Sequence, residues 1–358
     1  MKTFLEDKNL PEYRQQQMRT AWFDPSIKNW EQVTTLPKEA RQILSKSEPW
    51  SSLKLSSLQQ SKTALKALFE LSDGKKIESV LMINPKGDWT ACLSSEVGCA
   101  MACDFCATGT MGFIRDLSSD EVSDQLRYWR QYLHENEEIS GRVSNIVMMG
   151  MGEPLNNYEP VRDAIIDFIE YMEIGKTKIT LSTVGVKRGM EQILTDPLWP
   201  DVRVAISLHY PDQKKRVEHM PVANQRSLEE LKDWCLRYLK QYGNRKHHIT
   251  FEYLMLEGKN DTQKDVRDLA KFLKGIDRYK INLIPWNEVD NLNYNRASRK
   301  RTEGFQEALQ KRGIRSTIRK SLGREIDGGC GQLAVKEGEV AKNTEETKDD
   351  GLISIGFK

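Results

Sequence analysis

The segment Thr90-Ala-Cys92-Leu-Ser94-Ser-Glu-Val-Gly-Cys99-Ala-Met-Ala-Cys103-Asp-Phe-Cys106 joins a strand pattern to three thiols spaced C-x3-C-x2-C. Three thiolates can each hold one iron of a four-iron cluster and leave the fourth iron without a protein ligand. Electron-transfer clusters are closed by four cysteines, whereas an open coordination position marks a reactive metal site. The plainer readings are a zinc knuckle or free core cysteines. Zinc would want a fourth Cys or His nearby, and none follows at finger spacing. In the strand, Thr90, Cys92 and Ser94 share one face, opposite Ala91 and Leu93. Cys92 is thereby aimed at the site, although burial as a small hydrophobe is the commoner fate of a free cysteine.

Outward from this segment, strand-like runs occur at 77–83, 90–94, 143–149, 178–183, 202–208, 248–255, 280–285 and 314–319. Helical patterns separate them near 118–135, 159–173, 187–195, 227–242, 261–275 and 298–312. In the helix at 118, Ser118 or Ser119 can cap, Asp120 and Glu121 suit the positive end, and Val122, Leu126, Trp129 and Leu133 line one face. Alternation of this kind predicts an α/β fold of parallel strands with helical crossovers. Six units from residue 90 predict a partial (βα)6 barrel, entered through a hairpin at 77–94 that turns at Pro-Lys-Gly-Asp. Residues 1–72 read as a small helical accessory domain, punctuated at Leu10-Pro11, Leu36-Pro37 and Leu53–Leu58. The barrel then occupies 73–335, and the acidic, polar tail at 336–358 reads as disordered.

Composition excludes several classes. Charged residues make up 30% of the 358, and no apolar run approaches the length of a bilayer span. The first residues, Met-Lys-Thr-Phe-Leu-Glu-Asp-Lys, carry acids where a signal peptide needs an apolar core. The expectation is a cytoplasmic protein, whose six cysteines serve as ligands or reagents rather than staples. Net charge is only +2, yet residues 294–324 hold ten Lys/Arg against Glu303 and Glu307. That stretch is either a phosphate-tracking surface or a solvated helix face.

In a parallel barrel the βα loops open at the C-terminal ends of the strands, where functional residues gather. Five motifs fall there: the cysteine set, Gly150-Met-Gly152-Glu153-Pro154, Leu181-Ser182-Thr-Val-Gly185, Ser207-Leu208-His209 and Ile284-Pro-Trp-Asn287. Gly-Glu-Pro by itself is a turn signal, and Ser-Leu-His could be a satisfied core histidine. Convergence at one end of five strands makes them one site.

The C-x3-C-x2-C set is the pattern of radical SAM enzymes, in which S-adenosylmethionine (SAM) chelates the free iron. With Cys92–Gly109, Met148–Leu155, Ser182–Gly185, Ser207–His209, Asn282–Asn287 and Gly323-Arg-Glu-Ile-Asp-Gly-Gly-Cys330-Gly-Gln-Leu, the chain resembles the RlmN/Cfr radical SAM RNA methyltransferases over about residues 10–335. The resemblance implies one [4Fe-4S] cluster on Cys99, Cys103 and Cys106, and two SAM per turnover. Gly152, Glu153, Ser182, Ser207, Leu208, His209 and Asn287 would bind SAM.

It further implies a detour through sulfur, because C2 or C8 of adenine is no nucleophile and cannot displace a SAM methyl. Cys330 takes the methyl, and a 5′-deoxyadenosyl radical abstracts hydrogen from it. The methylene adds to adenine, and Glu78 removes a proton from the adduct. Cys92 then attacks the Cys330 sulfur, giving a disulfide that a thiol reductant resets. An exposed strand glutamate is the plainer reading of Glu78, and core packing that of Cys235. Two departures from the family pattern stand out: Gly328-Gly329 stand where alanines are usual, and Glu325 where aspartate is. The glycines are expected to loosen the loop that carries Cys330.

By resemblance the substrate is an adenosine in the peptidyl-transferase region of 23S rRNA, with a tRNA anticodon-loop adenosine as a second candidate. The expected product is the C2-methylated base, and C8 methylation is the close alternative. A flavodoxin-like electron donor, no membrane and a monomeric state complete the expectations. The competing classes are a radical SAM enzyme acting on a non-RNA substrate and a non-catalytic RNA-binding module with a structural metal.

Overall fold

Two helices, α1 (Glu12–Phe23) and α2 (Lys38–Ser47), each begin directly after a proline, Pro11 and Pro37, whose fixed φ suits a helix start. The computed structural model describes residues 11–84, 86–136, 139, 141–244 and 247–335. The acidic first residues and the tail expected to be disordered lie outside these.

The helical reading of residues 1–72 fails beyond Ser47. Leu53–Gln60 and Ala64–Leu71 are strands β1 and β2, paired antiparallel with a bulge between Leu55 and Ser57. Apolar spacing in Ala64-Leu-Lys-Ala-Leu-Phe-Glu-Leu is compatible with either period. A free sheet edge on β3 (Lys76–Ile83) decides it, since β-pairing depends on context more than helix formation does. The expected boundary at 72 therefore falls in a turn that the sheet crosses.

The anticipated hairpin is present, with β3 antiparallel to β4 (Trp89–Cys92). After β4 a short ladder of β5 (Glu96–Gly98) and β6 (Phe113–Asp116) brackets the cysteines and a four-residue helix, α3 (Ala107–Thr110). Ser118 caps α4 (Ser119–Glu135) in a capping box with Glu121, and Val122, Leu126, Trp129 and Leu133 are its buried apolar positions, as the spacing predicts. Alternation continues through β7 (Val143–Met148), α5 (Tyr158–Tyr171), β8 (Ile179–Thr183), α6 (Lys187–Thr195) and β9 (Arg203–Ser207). A helix not foreseen, α7 (Gln213–His219), precedes α8 (Leu228–Tyr242), which leads to β10 (Ile249–Met255), α9 (Gln263–Leu273), β11 (Tyr279–Pro285), α10 (Arg299–Gln310) and β12 (Ser316–Ile318).

Strand order is β1-β2-β3-β4-β7-β8-β9-β10-β11-β12, and every neighbouring pair from β4 to β12 is parallel. No ladder joins β1 to β12 among the described residues. This is the open (βα)6 barrel predicted, with a three-stranded antiparallel extension on one flank. Cys235 is fully buried in the core, as expected.

Arg127 locks the N-terminal helices to the barrel. Its guanidinium lies 4.1 Å from the Trp22 ring centroid and 5.2 Å from that of Trp50. It donates to the Trp22 and Trp50 carbonyls and pairs with buried Asp124. Arg127→Ala leaves Asp124 buried without its cation, so we expect a loss of about 3–5 kcal/mol in chemical denaturation. A loss under about 1 kcal/mol would show that the lock is dispensable.

Candidate active site

Four of the six cysteines line one open cavity of about 930 Å³ at the C-terminal ends of the strands: Cys99, Cys103, Cys106 and Cys330. The cysteine loop is folded tightly on itself. A Cβ at Gly109 would lie 2.6 Å from the Cys103 carbonyl oxygen, so only glycine fits there. Ala107 N–H donates to the Gly331 carbonyl (2.8 Å), and Trp286 Nε1–H donates to the Phe105 carbonyl (3.0 Å). The loop of the three thiols and the loop of Cys330, more than 220 positions apart, are thus hydrogen-bonded together.

The Gly-Glu-Pro segment is laid over the strand end that precedes the thiols. A Cβ at Gly150 would lie 2.7 Å from Leu93, and one at Gly152, where φ is +98°, 2.6 Å from the Glu96 side chain. Glu153 accepts N–H bonds from Val184 (2.8 Å) and Leu155 (3.1 Å), while its own N–H donates to Glu96 (2.9 Å). Burial pushes both carboxyls up to about 7, against the hydrogen bonds they accept.

Gly152, Glu153, Ser182, Ser207 and His209 line the cavity, as predicted. Burial, with the charge of Arg216, holds His209 down at about 3 and therefore neutral. Its Nδ1 accepts Leu254 N–H (3.1 Å), so its proton resides on Nε2. Two predicted binding residues are elsewhere. Leu208 is fully buried and absent from the lining, in keeping with its place on the aliphatic face of the strand. Asn287 is also fully buried and donates through Nδ2 to the Cys330 carbonyl (3.0 Å). It holds the cysteine loop, an assignment that its position at a strand end did not reveal.

Gly329 explains itself here. Its Cβ would come within 2.6 Å of Gln332 Oε1 and 2.7 Å of Asn287 Nδ2, and both Gly328 and Gly329 are buried. The pair allows close approach at the root of the loop, in contrast to the loosening expected from glycine.

Cys92 and Glu78 lie behind this wall. Cys92 is 6% exposed and pairs across the hairpin with Val80. Its thiol is pushed up to about 12 by burial and by the charge of Cys330, against the opposing pull of Arg319. Glu78 is fully buried, ion-paired to Lys66 (2.8 Å), and accepts Ala334 N–H (2.9 Å) from the segment after Cys330. Its full burial excludes the exposed-strand reading, although it is not among the cavity residues.

Residues 94–273 match the Radical SAM superfamily. A relative from Salinibacter ruber, called "Probable dual-specificity RNA methyltransferase RlmN", is 37% identical over 95% of this chain and 93% of its own. One from Desulfotalea psychrophila, called "Dual-specificity RNA methyltransferase RlmN", is 39% identical over 93% and 92%. A crystal structure of a radical SAM methyltransferase from Sphaerobacter thermophilus superposes with a TM-score of 0.85 at 34% identity, covering 92% of this chain and 95% of the other. The chain belongs to the RlmN family of radical SAM RNA methyltransferases.

Radical SAM membership implies a [4Fe-4S] cluster and SAM, and the family's three cysteines stand where a cluster fits. Burial raises all three thiols, and mutual repulsion adds to this for Cys99 and Cys103. Such a set ionises when bound metal supplies the compensating charge. Buried Arg216 favours the Cys103 thiolate and donates to the Ser207 (2.9 Å) and Val184 (2.5 Å) carbonyls, bracing two strand ends. Among the described residues no three His, Cys, Asp or Glu side chains gather round a single ion. A cluster spreads its ligands more widely, one thiolate per iron.

Sequence reasoning missed Arg319 as a site residue, counting it only as part of a basic run. It follows β12 directly and faces Cys92, Cys330 and Glu252. Burial would lower its pKa, and those three groups outweigh that and raise it. Its position after a barrel strand, where the other motifs fall, was the available signal.

Proposed function

We propose that this chain methylates C2 of an adenosine in 23S rRNA, and of a tRNA anticodon-loop adenosine, through a methyl group carried on Cys330. The observation that carries the reading is that Cys330 shares one cavity with the three cluster cysteines while Cys92 interacts electrostatically with it from behind. When bound, the cluster and SAM supply the methyl group and a hydrogen-abstracting radical. Cys99, Cys103 and Cys106 hold that cluster, and Gly152, Glu153, Ser182, Ser207 and His209 shape the SAM pocket.

Cys330 thiolate accepts the methyl, with the Arg319 guanidinium facing it. Its sulfur keeps the carbon bound while the base adds to it. Glu78 takes the proton that leaves the adduct, which requires its contact with Ala334 to open. The adduct also gives up its unpaired electron, which a bound cluster would take back. The Cys92 thiolate then attacks the Cys330 sulfur to form the disulfide, the S–C bond breaks toward carbon, and that carbon takes up a proton to become the methyl group of the product. That pairing requires the two Cα atoms to approach within roughly 7 Å. A flavodoxin-like donor and a thiol reductant restore the starting state, and the enzyme works as a cytoplasmic monomer. No helix of the described residues is long and apolar enough to cross a membrane.

Lys300, at the start of α10, and Lys320 and Arg324, after β12, are exposed on segments that follow the C-terminal ends of the last two strands, which supports RNA as the partner, whereas exposed Lys311, Arg312 and Arg315 precede β12 at the opposite end. Arg299 and Arg301 are partly spent on Glu303 and Asp261. Digestion of reacted RNA followed by mass spectrometry tests the regiochemistry against authentic standards. We expect 2-methyladenosine. A product co-eluting with 8-methyladenosine would overturn the C2 assignment and keep the rest.

A further inference from the structure

A second cavity of about 510 Å³ adjoins the first, and Cys330, Arg319 and Ile284 line both. Cys330 therefore stands in the partition between two chambers. One chamber is accounted for by the cluster cysteines and the Gly-Glu-Pro segment. A sulfur that receives carbon from one ligand and delivers it to another needs a chamber for each.

We infer that the second chamber receives the acceptor nucleotide, its planar base lying between Met82 and Leu322 and its phosphate near Lys320. The inference rests on the methyltransferase reading above. The remaining lining residues, Asn84, Thr90 and Ser321, are polar groups suited to the edges of a purine. Ser321 Oγ is buried and has no hydrogen-bond partner in the structure. Buried hydroxyls are ordinarily satisfied, so this one is set to bond a ligand. Asn84 Oδ1 already accepts the N–H groups of Lys86 (2.8 Å) and Asp88 (3.3 Å). Its NH2 is then the free end, a donor for a ring nitrogen of adenine. Thr90 can donate or accept. The apolar members suit a flat base withdrawn from its stack, and exposed Lys320 stands at the rim.

The chamber is bounded by the β3–β4 hairpin on one side and the segment after β12 on the other. Those are the first and last barrel strands, between which no ladder closes the sheet among the described residues. A base attached to a large RNA can enter by this flank without disturbing the SAM chamber.

The test separates the two half-reactions, using unmodified 23S rRNA transcript as probe. Methylation of Cys330 is read by intact-protein mass spectrometry with SAM and no RNA, and RNA methylation by steady-state kinetics. Ser321→Ala and Leu322→Trp are expected to raise KM for the transcript by about tenfold or more, with Cys330 methylation within about twofold of wild type. Lys320→Ala, an exposed change that does not threaten folding, is expected to raise KM by a few-fold and to flatten its salt dependence. Unchanged RNA kinetics in Leu322→Trp and Lys320→Ala would overturn the assignment. So would equal loss of both half-reactions in folded, cluster-loaded Ser321→Ala, which would place the chamber with SAM. A wild-type chain that accepts no methyl on Cys330 would instead overturn the methyltransferase reading itself.

Discussion

Cys330→Ala is expected to abolish methylation of the protein and of RNA together, by at least about three orders of magnitude. No other thiol of the chain can stand in. Cys99, Cys103 and Cys106 are proposed to be taken up as cluster ligands, Cys235 is fully buried in the core, and Cys92 lies outside the cavity. Cys330→Ser is a sharper form of the test, since a hydroxyl keeps the size but is a far weaker nucleophile at neutral pH. Cluster content, read by absorbance and iron analysis, is expected to stay at the wild-type level in both variants, because Cys330 is not a cluster ligand. RNA methylation by Cys330→Ala at more than about one per cent of the wild-type rate would end the carrier role of this residue.

The second large effect separates release from addition. Cys92→Ala is expected to take up one methyl, add it to RNA and stop, leaving a covalent protein–RNA adduct stable to denaturing gels. Product per enzyme falls below one turnover. The reason lies in the Cys92 environment. Its thiol, held up at about 12 by burial and by Cys330, is almost wholly protonated at neutral pH. Cys92 therefore does not compete with Cys330 for methyl transfer at the outset. Burial is the larger cause of that rise, so Cys92 becomes a nucleophile only once a proton has been removed from its buried thiol, which suits a late step in the sequence. Arg319, which faces both sulfurs, favours the anion of Cys92. Normal turnover by Cys92→Ala, with no adduct, would refute the two-thiol mechanism.

Much of this site was legible in the linear chain because its signals are local. Glycine-permitted turns, a C-x3-C-x2-C spacing and strand alternation each act within ten residues. Ser207 and His209 reach the cavity, while Val204, Ile206 and Leu208 are fully buried, as period-two alternation requires. The same rule turns the Leu208 side chain away from the cavity. The hold of Asn287 on the Cys330 loop and the place of Arg319 in the site went unseen for the opposite reason. Both act through segments distant in the chain, the Cys330 loop and the first barrel strand, and no local pattern reports such a partner. Residues 53–71 were misread because their apolar spacing serves two periods, and the free edge of β3 made the choice.

The amino-acid sequence by itself determined the open barrel and the family, since periodicity and family motifs are written in consecutive residues, and the roles proposed for Cys92, Cys330 and the three closely spaced thiols start from those same motifs. Only the tertiary structure decided that Glu78 is buried against Lys66 beneath the Cys330 loop, that Gly329 makes room for Asn287, and that Cys330 divides two chambers. Those are contacts between residues from a dozen to more than 250 positions apart, brought together by packing of the whole sheet, and such contacts leave no periodic trace in the chain.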